Sequence, residues 1–106
     1  MADRIEQLRR MLYSEPEDAF CLYALGQEYA RRGEFEAAQA HLARSLESDP
    51  DQPYAYFHRA KCLQQLGRPG EVQQAIAEGL ETAQRTGDAH AADELTELHR
   101  MMGGHG

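Results

Sequence analysis

At 106 residues the chain is long enough for one domain that buries about 60–70% of its unfolded surface without disulfide or metal staples. Eighteen Asp and Glu against eleven Lys and Arg leave a formal charge of −7, which argues against a general nucleic-acid binder, a function that needs clustered cations to displace counterions from phosphates. The N-terminus is charged from Asp3 onward and no apolar run reaches signal-peptide or membrane length, so the expected location is the cytoplasm, with no membrane partner.

Asp3 and Glu6 form a D-x-x-E start signal, and Ile5, Leu8 and Leu12 follow at helical spacing until Ser14-Glu15-Pro16-Glu17. This predicts a first helix over residues 3–14. The central stretch, residues 19–50, predicts two helices folded back on each other. It carries Leu22-x-x-Leu25-Gly26-x-x-Tyr29, then Ala38-x-x-x-Leu42, then Pro50. Pro16 lies 34 residues before Pro50, and the same step joins Leu8 to Leu42 and Leu12 to Leu46. Forward, a step of 34 carries Leu22 to Tyr56, Gly26 to Ala60, Tyr29 to Leu63, Gly33 to Gly67, Ala38 to Val72, Leu42 to Ile76 and Leu46 to Leu80. A period of this length is the signature of stacked units, none of which can bury its apolar face alone.

Gly26, Ala38, Ala60 and Ser45 fall where helices of one unit cross, and their small side chains let the axes approach to about 8–10 Å. Gly33 and Gly67 end the first helix of each unit in the left-handed conformation. In the second unit Arg59 stands at the position of Leu25 and Pro69 at that of Phe35, while Gln84 stands where a closing proline is expected. Pro69 suits a first helical turn, and the fifth helix is free to run on to Gly87. Gly79, inside that helix, implies close approach of another backbone. Asp88 caps a sixth helix with Ala91, Leu95, Leu98 and Met102 in one stripe and Asp93, Glu94, Glu97 and Arg100 toward water. The final residues, 103–106, are expected to be disordered.

The central spacing and the 34-residue period resemble the tetratricopeptide repeat, over most of the chain. The resemblance implies an all-α fold, a right-handed α-α superhelix of about six antiparallel helices. Its parts are a half repeat (3–16), two full repeats (19–52 and 53–86) and a closing helix (88–102), within a single domain over 1–102. It also implies that the first helix of each unit lines a concave surface.

In α-helical geometry Phe20, Tyr23, Gln27 and Arg31 lie opposite Leu22, Leu25 and Tyr29, and one step on lie Tyr54, Phe57, Lys61 and Gln65. Phe20 and Tyr54 fit equally a groove or an extension of the core; Tyr23 and Phe57, in mid-helix, fit a groove. Residues 52–67 hold no Asp or Glu but carry His58, Arg59 and Lys61, so the inner wall is expected to be neutral to positive and to suit an extended peptide with a carboxylate and apolar side chains. Relatives that grip the carboxylate of chaperone tails use lysine and asparagine at fixed inner positions. Here Tyr23 and Gln27 occupy those places in the first unit and His58 stands for asparagine in the second, so chaperone-tail binding is not expected.

Cys21 and Cys62 are offset by about 10 Å along neighbouring helices, too far for a bridge, and read as small buried hydrophobes. His41, His90, His99 and His105 share no metal-ligand spacing and read as incidental surface residues, and Gly103-Gly-His-Gly opens no helix as a phosphate loop would. No nucleophile, base and oxyanion donors converge, so neither an enzyme nor a cofactor is expected. The function that follows is an adaptor, a monomer in preference to a homo-oligomer, that holds a protein or peptide in an aromatic, mildly basic groove. The alternative is a self-association module pairing copies of the chain.

Overall fold

A computed structural model describes residues 3–103. Six helices follow in order: α1 (Arg4–Ser14), α2 (Ala19–Arg31), α3 (Phe35–Ser48), α4 (Pro53–Gln65), α5 (Pro69–Thr86) and α6 (Ala89–Met101). The described residues contain no strand. Gly103 aside, the C-terminal segment expected to be disordered lies outside the described residues.

Local chemistry starts and stops these helices. Asp3, Asp18 and Asp88 each accept a hydrogen bond at 2.9 Å from a backbone N–H three residues on, that of Glu6, Cys21 and Ala91, at the N-termini of α1, α2 and α6. The helices α4 and α5 instead begin on Pro53 and Pro69, whose missing N–H costs nothing in a first turn. Gly33 and Gly67 close α2 and α4 at φ 76° and 70°. The next N–H in each case reaches back five residues, Glu34 to Tyr29 O (2.9 Å) and Arg68 to Leu63 O (3.1 Å). Removing the Asp18 cap as Asp18→Ala should cost about 1 kcal/mol in urea unfolding, and Asp18→Asn should recover most of it.

Each helix packs on its predecessor, and α2 also touches α4 as α4 touches α6, giving an elongated stack of 46 × 28 × 19 Å. Ile5, Leu8, Leu25, Tyr29, Ala38 and Leu42 form one core cluster, and Ala60, Leu63, Val72, Ala75, Ile76 and Leu98 another. Tyr29 and Leu63, Ala38 and Val72, and Leu8, Leu42 and Ile76 are the same periodic positions in successive units. At Gly26 an added Cβ would lie 2.6 Å from Leu42 Cγ and 3.2 Å from Ala38 O, so the glycine permits the crossing of α2 and α3. Ser45 is fully buried; its hydroxyl donates to Ala19 O (2.7 Å) and accepts from Gln52 Nε2 (3.0 Å), which ties the α3–α4 turn to α2.

Two expectations change in the folded chain. Around Gly79 the close neighbours are side-chain atoms, Tyr56 Cβ and Leu95 Cδ1, at 2.8 and 3.0 Å from an added Cβ, so the glycine makes room for packed side chains and not for a backbone. His41, expected outside, is half-buried: its ring lies 5.0 Å from that of Tyr29, and Nδ1 donates to Ala37 O at 2.8 Å. Arg59, in a leucine's place, reaches out of the core to Gln39 Oε1 (3.2 Å) and Glu71 (3.9 Å), so it links α3, α4 and α5.

Cys21 and Cys62 are buried free thiols, and burial raises the pKa of both.

Candidate partner-binding groove

The side-by-side placing of α2 and α4 brings the two aromatic stripes onto one surface with two clefts. One, of 410 Å³, is lined by Phe20 and Tyr23 from α2 and by Pro53 and Tyr54 from α4, with Asp49 and Gln52 of the intervening turn. The other, of 310 Å³, holds Gln27, Arg31, His58, Lys61 and Gln65, with Phe35 and Cys62 among its walls. Phe57 joins the two: its ring stands edge-on to Tyr54 (6.2 Å) and His58 (5.2 Å), with Lys61 Nζ 5.3 Å from its centroid. All nine residues singled out in the sequence therefore lie on or beside this surface.

Their roles differ. Phe20 is 68% exposed, which removes the option of a side chain folded into the core. Tyr23 and Phe57 are half-buried at the margins of the two core clusters and present their remaining faces outward. Burial raises the Tyr23 pKa, so its hydroxyl stays a neutral donor. Gln27 Nε2 comes within 3.4 Å of His58 Nε2, whose ring is edge-on to Tyr23 at 5.8 Å. Arg31 is exposed and paired with Glu28, while Lys61 is exposed and, among the described residues, pairs with no carboxylate.

His58 carries a pH-dependent consequence. Burial, helped by the charge of Lys61, lowers its pKa from 6.5 to about 4. The unfolded chain takes up a proton near pH 6.5 that the folded chain refuses until about pH 4, so stability falls as pH drops through that window and levels off below it. The loss should be on the order of 1–2 kcal/mol, reduced from the full linkage because the ring is only half-buried. Urea unfolding near pH 7 and pH 4.5 should show a larger drop in wild type than in His58→Gln.

The sequence reading missed α6 as part of this surface. His90, set aside as incidental, hydrogen-bonds the Tyr54 hydroxyl through Nδ1, its ring 6.0 Å from that of Tyr54. The signal was the helical register: the N-caps Gln52 and Asp88 are 36 residues apart, not 34, so α6 repeats the α4 pattern with a two-residue shift. That shift places Asp93 and Glu97 where α4 has Phe57 and Lys61, so the surface grades from basic on α4 to acidic on α6.

A third cavity, of 180 Å³, lies away from the stripes between Pro69, Val72, Ile76, His99 and Met102. In the preceding unit Phe35 packs against the core at the place of Pro69, so the smaller proline leaves that space unfilled.

Among the described residues no helix is long and apolar enough to cross a membrane, and no cluster of three potential metal ligands occurs.

Comparison with known proteins accords with this architecture. The family model described as tetratricopeptide repeat matches residues 29–94. A TPR repeat-containing protein of Pseudomonas aeruginosa is 34% identical over 98 residues, covering 92% of this chain and 93% of that protein. The solution structure of a Bordetella parapertussis protein superposes with a TM-score of 0.84 at 32% identity, over 97% of this chain and 90% of that one. A tetratricopeptide repeat domain protein from Salinibacter ruber gives 0.71 at 32% identity, over 79% and 85%. With paired helices at a 34-residue period, small residues at their crossings and glycine stops between them, the chain belongs to the tetratricopeptide repeat family, whose members generally mediate protein–protein interactions.

Proposed function

We propose that the chain is an adaptor that holds an extended peptide or a helix of a partner protein along α2 and α4. The observation that carries this reading is the aromatic stripe: Phe20 is 68% exposed, and Tyr54, Tyr23 and Phe57 line or join open clefts that the core uses only at its margin. Rigid aromatic rings offer large apolar contact area for little rotamer entropy. Lys61 and Arg31 add positive charge beside them, which suits a ligand carboxylate next to one or two apolar side chains. The repeat units in this reading are a half repeat (3–16), repeats 19–52 and 53–86, and a closing helix (88–102).

The test is selection of displayed random peptides with free C-termini on the wild-type chain and on Tyr23→Ala/Phe57→Ala. Wild type should enrich peptides with a carboxylate beside apolar residues, and the double variant should lose them. No enrichment on wild type, or the same enrichment on both, rejects the groove.

A further inference from the structure

We propose that this chain assembles end to end with further copies of itself, α6 of one copy and α1 of the next packing together as the first and second helix of a repeat unit. The proposal does not rest on the groove reading, and it revises the expectation of an isolated monomer.

Helix order carries the first part of the argument. In the two complete units the first helix, α2 or α4, packs on the helix that follows it, α3 or α5. By register α6 is another first helix, and no described helix follows it. By the 34-residue step α1 is a second helix, and no described helix precedes it. The two ends of the described stack are thus a first and a second helix of a unit, which are complementary in kind.

The end helices carry counterparts of residues that pack between helices elsewhere in the stack. On α6, Ala92 and Thr96 are the counterparts of Tyr56 and Ala60, the residues that α4 turns toward α5, and Thr96 is exposed. On α1, Met11 is the counterpart of Ser45 and Gly79, which are buried, yet Met11 is 51% exposed. Within the chain Gly79 faces Tyr56, whose Cβ is 2.8 Å from an added Cβ, so a small residue meets a large one. Across the junction Met11 would meet Ala92, the same pairing with the sizes exchanged, which conserves the packed volume. Thr96 keeps the small residue that Gly26 and Ala60 supply at the other crossings.

Charge selects a second copy as the occupant. The helix α1 carries Arg4, Arg9 and Arg10 against Glu6, and α6 carries Asp93, Glu94 and Glu97 against Arg100. Opposite net charge on the two end helices of one chain favours head-to-tail contact and disfavours head-to-head or tail-to-tail pairing. Such a heterologous contact does not close on itself at two copies, and it continues into longer assemblies or a ring.

The experiment is sedimentation velocity of the full chain across a concentration series at low and high salt, with Met11→Glu and Ala92→Glu variants checked for wild-type helicity by circular dichroism. Should Ala92→Glu not fold, the exposed position Thr96→Arg takes its place. Wild type should grow past twice the monomer mass as concentration rises and shrink in about 1 M salt, where charges beyond about 3 Å are screened. Each variant alone should stay monomeric, and an equimolar mixture should form a heterodimer and stop, because only one intact junction remains. A wild type that stays monomeric, or stops at a dimer, overturns the proposal. Variants that still assemble alone, or a mixture that stays monomeric while wild type assembles, assign the contact to another face and overturn it equally.

Discussion

Leu42→Ala should lower the unfolding free energy by about 2–5 kcal/mol, a large part of the total for a domain of this size, which is about 5–15 kcal/mol. Leu42 is fully buried at the crossing of α2 and α3, so truncation loses its transfer free energy and leaves a cavity that two packed helices only partly close. The adjoining glycine makes the sign of a second change depend on the first. In wild type, Gly26→Ala sets a methyl 2.6 Å from Leu42 Cγ, and overpacking of about 1–3 kcal/mol outweighs the roughly 1 kcal/mol that alanine gains over glycine in a helix. In the Leu42→Ala background the clash with Leu42 Cγ and Cδ2 is gone, only the 3.2 Å approach to Ala38 O remains, and the new methyl enters the vacated space. Gly26→Ala should therefore destabilise the wild type and stabilise the Leu42→Ala chain. Urea unfolding of all four proteins measures this coupling, and additive effects would show that the crossing does not depend on this contact.

Tyr23→Ala/Phe57→Ala should weaken binding of a selected peptide by about 100-fold or more, the scale on which central aromatic anchors act. Both rings also touch the core margins, so truncation will cost some stability, and the experiment needs a variant that changes the groove alone. Lys61 supplies it, since its side chain is exposed and its ammonium sits over Phe57. Lys61→Glu should leave the unfolding midpoint unchanged yet weaken a carboxylate-bearing peptide by about 10-fold, through the loss of one cation and the gain of a repelling charge. Calorimetric titration reads both variants. Unchanged affinity in the two would remove the groove from consideration and leave Tyr23 and Phe57 as extensions of the core margins.

The general features legible in the chain were those whose causes are local or periodic. Asp3 and Asp88 cap helices through a bond to an N–H three residues away, and Gly33 and Gly67 adopt a conformation that other residues avoid, so each acts wherever the chain goes next. The 34-residue step fixed which residues share a face, because stacking repeats the same contacts, and it located the core positions Tyr29, Leu42, Leu63 and Ile76 as well as the aromatic stripes.

Tertiary structure decided what depends on where an element comes to rest. The two-residue shift between α4 and α6 follows an α5 of eighteen residues, and only the packed position of α6 pairs His90 with Tyr54 and sets acidic residues beside the groove. Arg59 reads as a misfit in a leucine's place until Gln39 and Glu71 arrive from two other helices. Gly79 announces a close approach without saying of what, because the atoms that fill the space, Tyr56 Cβ and Leu95 Cδ1, lie 23 and 16 positions away along the chain. Sequence alone thus determined the helices, their period and their shared faces, since capping, turn conformation and side-chain spacing act within a few residues. The partners of Arg59, His90 and Gly79 were set only by packing, since non-local contacts depend on the position and rotation of whole helices.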